Sequence, residues 1–506
     1  MNSSAIENIV DKLILFFKSS RLYFAVSFLV GLLTYGFCFT NKLEQMDDLA
    51  CMFYTGASMS SGRWGLDITK HFLPSYSIPW LNGILSVLLL SLSICIIIKL
   101  FNIKHKILSV LLAAIIISFP SQTVTFGYMY TSTHYAFAVL LTVIAVYLLC
   151  SNNSLGSFAV SSLLLVFSLS IYQAYIALAV SLFLVYIIYL CISTEMPSKS
   201  ILYCGLRLFL SLFISAAVYF VITFLLMKFS STQFNSYAES SMRGGFLHNL
   251  RVAITSFVGY FYKGYYDLIS TPVSQVAHII VAALTIALII IKILKYWNSD
   301  LMRAILIIIC IILFPLGVNC VRVISSQFHN VMLLSFISVY VLACIVFDAS
   351  VSSDNNTFFF NLSKDFTAIA MFAVICTNIL FANNVYLKMF FQLEEAKSFY
   401  TNIATVLSET PGYDKNTVVA IVGDAGDNFF VYPYDTSNLA GIREGLINIY
   451  SRGCMFQYFT GINVNLASDN LLVSLSQDPD IQSMPQYPYY GSMKMLDNNI
   501  FVVNLG

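Results

Sequence analysis

Runs of about twenty apolar residues, repeated along the chain as far as residue 382, set the terms on which this sequence can fold. Such a run, coiled into a helix, matches a hydrocarbon core about 30 Å thick. Within a bilayer every backbone N–H and C=O must be satisfied inside the segment, so each run is expected to be a helix. The composition agrees: 58% of the 506 residues are hydrophobic and 10% are charged, against about 25% charged in an ordinary soluble domain. The mean hydropathy is +0.80. A net charge of +1 offers no electrostatic footprint for nucleic acid or for a strongly acidic partner.

About eleven spans are predicted, at 22–40, 79–100, 107–124, 133–150, 157–172, 174–193, 202–228, 273–293, 304–321, 330–348 and 365–382. The first is too long for the apolar region of a signal peptide and lacks a clear small-residue cleavage site, so it is expected to stay as a span. The fold class is therefore mostly α: a polytopic helix bundle over residues 1–382, followed by a water-soluble α/β domain over 383–506. Nine of the eleven cysteines lie in or at the ends of the apolar runs, where they act as small hydrophobes. Cys51 and Cys454 lie outside them, and an oxidising compartment permits a disulfide that sequence alone does not decide.

Charge placement orients the bundle. With the N-terminus cytoplasmic, the inside loops carry twelve Lys and Arg, and the short outside loops carry eight. Lys99, Lys104 and Lys106 crowd one very short inside loop. The tail is then periplasmic, and the long segments 41–78, 229–272 and 383–506 all lie on the outer face, where function is expected. In the second of these, GFLHNLRVAITSFVGYFYKGYYDLI mixes aromatic and basic residues in a helical pattern suited to the membrane interface.

The tail opens with Met389, Leu393, Ala396, Tyr400, Ile403 and Leu407 on one helical stripe. Pro411 and Gly412 then break the chain before TVVAIVGD, which reads as a buried strand. Twelve Asp and Glu against six Lys and Arg leave the tail with a net charge of −6. GDAGD at 423–427 lacks the lysine and the full glycine pattern of a nucleotide loop.

Candidate chemistry gathers in the first outer loop. Glu44, Asp47 and Asp48 follow a span directly, where a carboxylate suits a general base and equally suits a solvated helix start. Fifteen residues beyond Asp48, SGRWGLD sets Arg63 and Trp64 between glycines. Arginine fits a phosphate bidentately, and the indole can stack on a sugar or sit at headgroup level. Gln122, Tyr128, His134, Tyr172, Gln173, Arg322, Gln327 and His329 cluster at outer span ends. His134 and His329 have no close partner of ligand spacing, so they read as hydrogen-bonded histidines rather than metal ligands.

A first span, an outer loop with MDD and then SGRWGLD, and SIYQAYIA at the junction of two later spans together resemble the serotype-converting O-antigen glucosyltransferases. These are the Gtr proteins of the glucosyltransferase II family, and the likeness covers residues 1 to about 382. It implies a GT-C type membrane glycosyltransferase of the bacterial inner membrane. The implied donor is undecaprenyl-phosphate-glucose, and the implied acceptor is the lipopolysaccharide O-antigen. By the same analogy Asp47 or Asp48 is the catalytic base and Arg63 and Arg322 hold the donor phosphate, while Glu44, Trp64, Tyr172, Gln173 and His134 are candidates for substrate contact. Arginine can stabilise a leaving phosphate unaided, so no cofactor is called for, and a divalent metal is left open. The rival class is a transporter or flippase of a lipid-linked saccharide. Its expected signs, internal repeats and charged or broken helices at mid-bilayer, are not clear in this sequence.

Overall fold

The computed structural model describes residues 5–50, 58–234, 245–263, 271–325, 328–351, 358–423, 439, 441–442, 445–448, 452–497 and 499–506. Two compact units emerge, one from residues 1–40 and 55–383, the other from 41–54 and 384–506.

The first unit is helical. It comprises α1 (Ala5–Thr40), α3 (Trp64–Thr69), α4 (Pro79–Leu100), α5 (Lys106–Ile117), α6 (Pro120–Gly127), α7 (Met129–Ser151), α8 (Leu155–Ile171), α9 (Ile176–Ser193), α10 (Ser198–Ser230), α11 (Phe246–Lys263), α12 (Pro272–Ser299), α13 (Leu301–Val318), α14 (Cys320–Ile324) and α15 (Ile337–Val351). The first part of α16 (Phe358–Glu409) also belongs here. Among the described residues ten helical segments are long and apolar enough to cross a membrane, and α8, at 17 residues, is a shorter apolar helix. The eleven expected spans fall on these eleven segments. One of them is broken: Phe119 is extended and Pro120 starts α6, because proline lacks the N–H that would continue α5 and suits a first helical turn.

Helix α10 shows why lipid is needed. Its buried residues Ser211, Ser215, Tyr219 and Thr223 recur every four positions, while Phe209, Phe213, Phe220 and Phe224 are exposed. That is the reverse of a soluble helix, whose polar side faces water. Ser211 and Ser215 bond inward to Ser162 on α8, so the polar groups are satisfied within the bundle. Helix α11 instead buries Asn249, Ala253, Ser256 and Tyr260 and exposes Phe246, Leu247, Val258 and Tyr262 on its other sides. Asn319 ties it down by donating to the Ala253 carbonyl and the Ser256 hydroxyl. The amphipathic pattern read in the second outer segment is therefore a helix with one packed face.

Helices α9 and α13 pack antiparallel. Arg303, in the first turn of α13, donates to the carbonyls of Cys191 and Thr194 at the end of α9 and to that of Met196 just beyond. The guanidinium thereby fills acceptors that a helix C-terminus leaves without partners.

The second unit contains α2 (Met46–Ala50), the last part of α16, β1 (Val418–Val422), α17 (Arg452–Thr460), β2 (Asn465–Leu466), α18 (Asp469–Ser476), α19 (Pro479–Gln482), β3 (Met493–Leu496) and β4 (Ile500–Asn504). Its sheet runs β2-β1-β4-β3, with β1 parallel to β2 and β4, and β3 antiparallel to β4. Val419, Ile421, Phe501 and Val503 face Ala396, Phe399, Tyr400, Ile403 and Leu407 of α16. Ala420, Val422, Ile500 and Val502 face Leu475, Ile481 and Met484 on the other side. Burial on both faces accounts for the unbroken apolar run in TVVAIVGD. Residues 424–427 of the GDAGD stretch and Cys51 of the Cys51–Cys454 pair lie outside the described residues.

Candidate functional site

SGRWGLD folds into a tight connector at one end of the helical unit. Ser58 and Arg63 close a turn, Arg63 N–H donating to the Ser58 carbonyl at 2.8 Å, and Gly62 within it has φ +70°. A Cβ at Gly62 would lie 2.8 Å from the Tyr219 hydroxyl, so backbone sign and lack of space both require glycine there. At Gly65 a Cβ would meet the Ser170 backbone carbon at 2.8 Å, because α3 lies close against the end of α8. Both glycines flanking Arg63 and Trp64 are thus dictated by packing.

Arg63 sits half-buried with its guanidinium 5.1 Å from the centre of the Tyr172 ring, and Nη1 donates to the Tyr135 hydroxyl at 3.1 Å. Tyr135 and Tyr172 stack at 4.4 Å with planes 15° apart, and Tyr175 meets both edge-on. The ring face of a tyrosine attracts a cation, so these aromatics hold the guanidinium in place. Gln173 donates to the Ser61 carbonyl and to the Tyr219 hydroxyl, which in turn donates to the Gly62 carbonyl. SIYQAYIA accordingly forms the junction expected of it: α8 ends, Tyr172 is extended, Gln173–Tyr175 is a 3-10 turn, and α9 begins.

The other candidates divide by environment. Trp64 is buried against Val166, Leu169 and Tyr219 and donates its indole N–H to Thr223, which makes it a packing residue of the connector. His134 has both ring nitrogens engaged, Nδ1 by the Thr69 hydroxyl at 2.7 Å and Nε2 by that of Ser75 at 3.3 Å. It is the hydrogen-bonded histidine that its sequence context suggested, tying residues 69–75 to α7. Asp67 is held by Ser58 and by Lys70. Arg322 lies on α14, beyond the end of α13, and is half-buried with Nη1 near the Ser325 carbonyl. Because α13 runs antiparallel to α9, Arg322 and Gln173 occupy the same end of the bundle. Gln327 lies outside the described residues. Among the described residues no three His, Cys, Asp or Glu side chains converge as metal ligands.

Glu44, Asp47 and Asp48 belong to the second unit. Helix α2, which carries MDD, packs against α17. Glu44 and Asp48 are buried and Asp47 is half-buried, its N–H donating to the Gln45 side chain. Lys42 pairs with Glu44 at 3.2 Å and lies over the Tyr458 ring. Burial alone would lower the Lys42 ammonium, but Glu44, Tyr458 and Asp48 outweigh it and hold it above the usual lysine range. The acidic segment is thus an integral piece of the second unit.

Tyr135, Tyr219 and Thr223 are the site residues that sequence reading passed over. Tyr135 adjoins His134, and Tyr219 and Thr223 continue the four-residue polar spacing of α10, which was the available signal.

No curated protein and no solved structure matches this chain. Residues 36–347, more than half of the chain, match the model of one family, and that span takes in MDD, SGRWGLD, SIYQAYIA and the arginine cluster. The chain is a polytopic membrane protein that belongs to the glucosyl transferase GtrII family, and this membership implies glycosyltransferase activity.

Proposed function

We propose that the chain moves a glucosyl unit from undecaprenyl-phosphate-glucose to a hydroxyl of the lipopolysaccharide O-antigen, on the periplasmic face of the bacterial inner membrane. The observation that carries this reading is Arg63, a cation seated on Tyr172 and bonded to Tyr135 at the end of the spans. A lipid-borne phosphate travels at that depth, and a planar guanidinium held in place can grip it as charge develops on departure. Arg322, at the same bundle end, is the second candidate cation.

In the transfer, the acceptor oxygen attacks the anomeric carbon as the bond from that carbon to the phosphate oxygen breaks. The bonding pair leaves with the phosphate, and attack from the opposite face inverts the centre. The acceptor proton passes to a carboxylate, for which Asp47 and Asp48 are the candidates, Asp47 first as the more exposed of the two. Glu44, Gln173 and Tyr172 are candidates for sugar contact. With the N-terminus cytoplasmic, this machinery and residues 383–506 lie outside.

The test uses purified full-length protein with the lipid donor and O-antigen. Arg63→Ala and Arg322→Ala weaken donor use, and Arg63→Lys restores it only partly, since lysine cannot make a planar bidentate contact. Wild-type donor affinity in both alanine variants places phosphate recognition elsewhere.

A further inference from the structure

At the far end of the helical unit lies a polar cavity. Helix α9 begins at the Arg63 cluster and ends in this cavity, so its 18 residues separate the two by roughly 27 Å, about the thickness of a hydrocarbon core. The cavity has a volume of about 320 Å³ and lies between the loop after α4, the ends of α9 and α15, the last turns of α12 and the start of α13. Lys104, Lys292, Lys295 and Arg303 line it, against Glu195 and Asp348.

Two of those six groups are held by other parts of the bundle. Arg303 is spent on three carbonyls and on Asp300. Asp348 accepts the backbone N–H groups of Lys104 and His105. The three lysines remain, with Glu195 and the Asp348 carboxylate, whose charge neutral N–H groups do not cancel, as the opposing charges. Among the described residues no acidic side chain pairs with them, and the one acceptor of Lys292 is the Ala349 carbonyl at 3.4 Å. Lys292 and Lys295 are three positions apart on α12 and so lie on neighbouring faces one turn apart. Like charges placed side by side at a span end stabilise nothing by themselves; an anion between them does. The acceptors at the end of α9, which would repel an anion, are covered by Arg303.

We propose that this cavity binds the phosphate headgroup of an anionic membrane lipid, with Lys292, Lys295 and Lys104 supplying the charge. Basic pockets between spans at the headgroup level are suited to such lipids. The volume accommodates a phosphorylated headgroup and leaves the acyl chains in the bilayer. Nothing in the proposed transfer uses these residues, so the site stands apart from that reaction.

The test titrates the full chain in neutral detergent, by calorimetry, with phosphatidylglycerol, phosphatidylcholine and inorganic phosphate. Phosphatidylglycerol is expected to bind the wild type, about thirtyfold more weakly in K292Q/K295Q and about fivefold more weakly in K104Q. K228Q, at the other bundle end, is expected to bind like wild type. Lys104 is exposed, so K104Q keeps the test decisive if the double variant fails to fold. Unchanged binding in the lysine variants overturns the proposal. So does equal affinity for phosphatidylcholine, which removes the anionic requirement, or for inorganic phosphate, which makes the ligand a soluble anion.

Discussion

Gly62→Ala tests whether the connector positions Arg63. Alanine at φ +70° costs about 1–2 kcal/mol. Its methyl group, 2.8 Å from the Tyr219 hydroxyl, also forces that hydroxyl away from the Gly62 carbonyl and from Gln173, both now 2.9 Å from it. Loss of one or two hydrogen bonds adds about 1–2 kcal/mol. The positioned connector thus loses about 2–4 kcal/mol, a roughly 30- to 1,000-fold change in its population. Glucosyl transfer by purified protein is the assay, with thermal stability recorded alongside, and turnover is expected to fall at least 30-fold. Tyr219→Phe added to Gly62→Ala relieves the clash but not the backbone cost, so it recovers only part of the loss. Gly36→Ala is the control, since a Cβ there meets nothing within 4 Å. Wild-type turnover in Gly62→Ala refutes the argument that this loop places the arginine.

Asp47→Asn and Asp48→Asn separate the base from its neighbour: the base loses about 100- to 10,000-fold in turnover and the other residue less. Near wild-type rates in both discard a base in this segment, and Glu44 and Asp67 come next. An alkaline phosphatase fusion after Asn384 is expected to be active, and an inactive one, with an active cytoplasmic reporter at the same site, reverses the topology. Asp300 caps α13, and the Ser198 hydroxyl, followed by the Arg303 N–H, holds its carboxyl below the usual range. Its contribution is therefore complete above about pH 4 and disappears as pH falls through the lowered value. Melting temperatures of wild type and Asp300→Asn should differ at neutral pH and converge in acid; a gap unchanged by acid contradicts the assignment.

What could be read from sequence was what is local. Met389, Leu393, Ala396, Tyr400, Ile403 and Leu407 declare a helical stripe, and from Leu393 onward the structure packs it onto β1, itself legible as TVVAIVGD. Phe119–Pro120 carried the signal for the break between α5 and α6, but the apolar average across it concealed the break. The helix that holds the span expected at 365–382 continues to Glu409, because Glu394, Glu395 and Lys397 are good helix formers and Glu394 and Lys397 lie exposed. The Arg63 cluster was half legible. The motif named the arginine and both glycines, whereas Tyr135 and Tyr219 are 72 and 157 residues from the groups they bond, a separation no spacing rule detects. The packing of the acidic pair with the tail was equally hidden.

That last association fixes an order of assembly. Residues 41–54 leave the ribosome just after the first span, yet the rest of their unit begins about 330 residues later. At about 5–20 residues per second, roughly 15 to 65 s of synthesis separate the acidic segment from the first residues of the rest of its unit, and the strands and α17 follow later still. Throughout that interval ten further apolar segments are being inserted while MDD lacks its partner α17. A chain interrupted in the tail would therefore carry a complete set of spans and the arginine cluster with the acidic pair still unplaced, which delays the proposed chemistry until the last strand has been made.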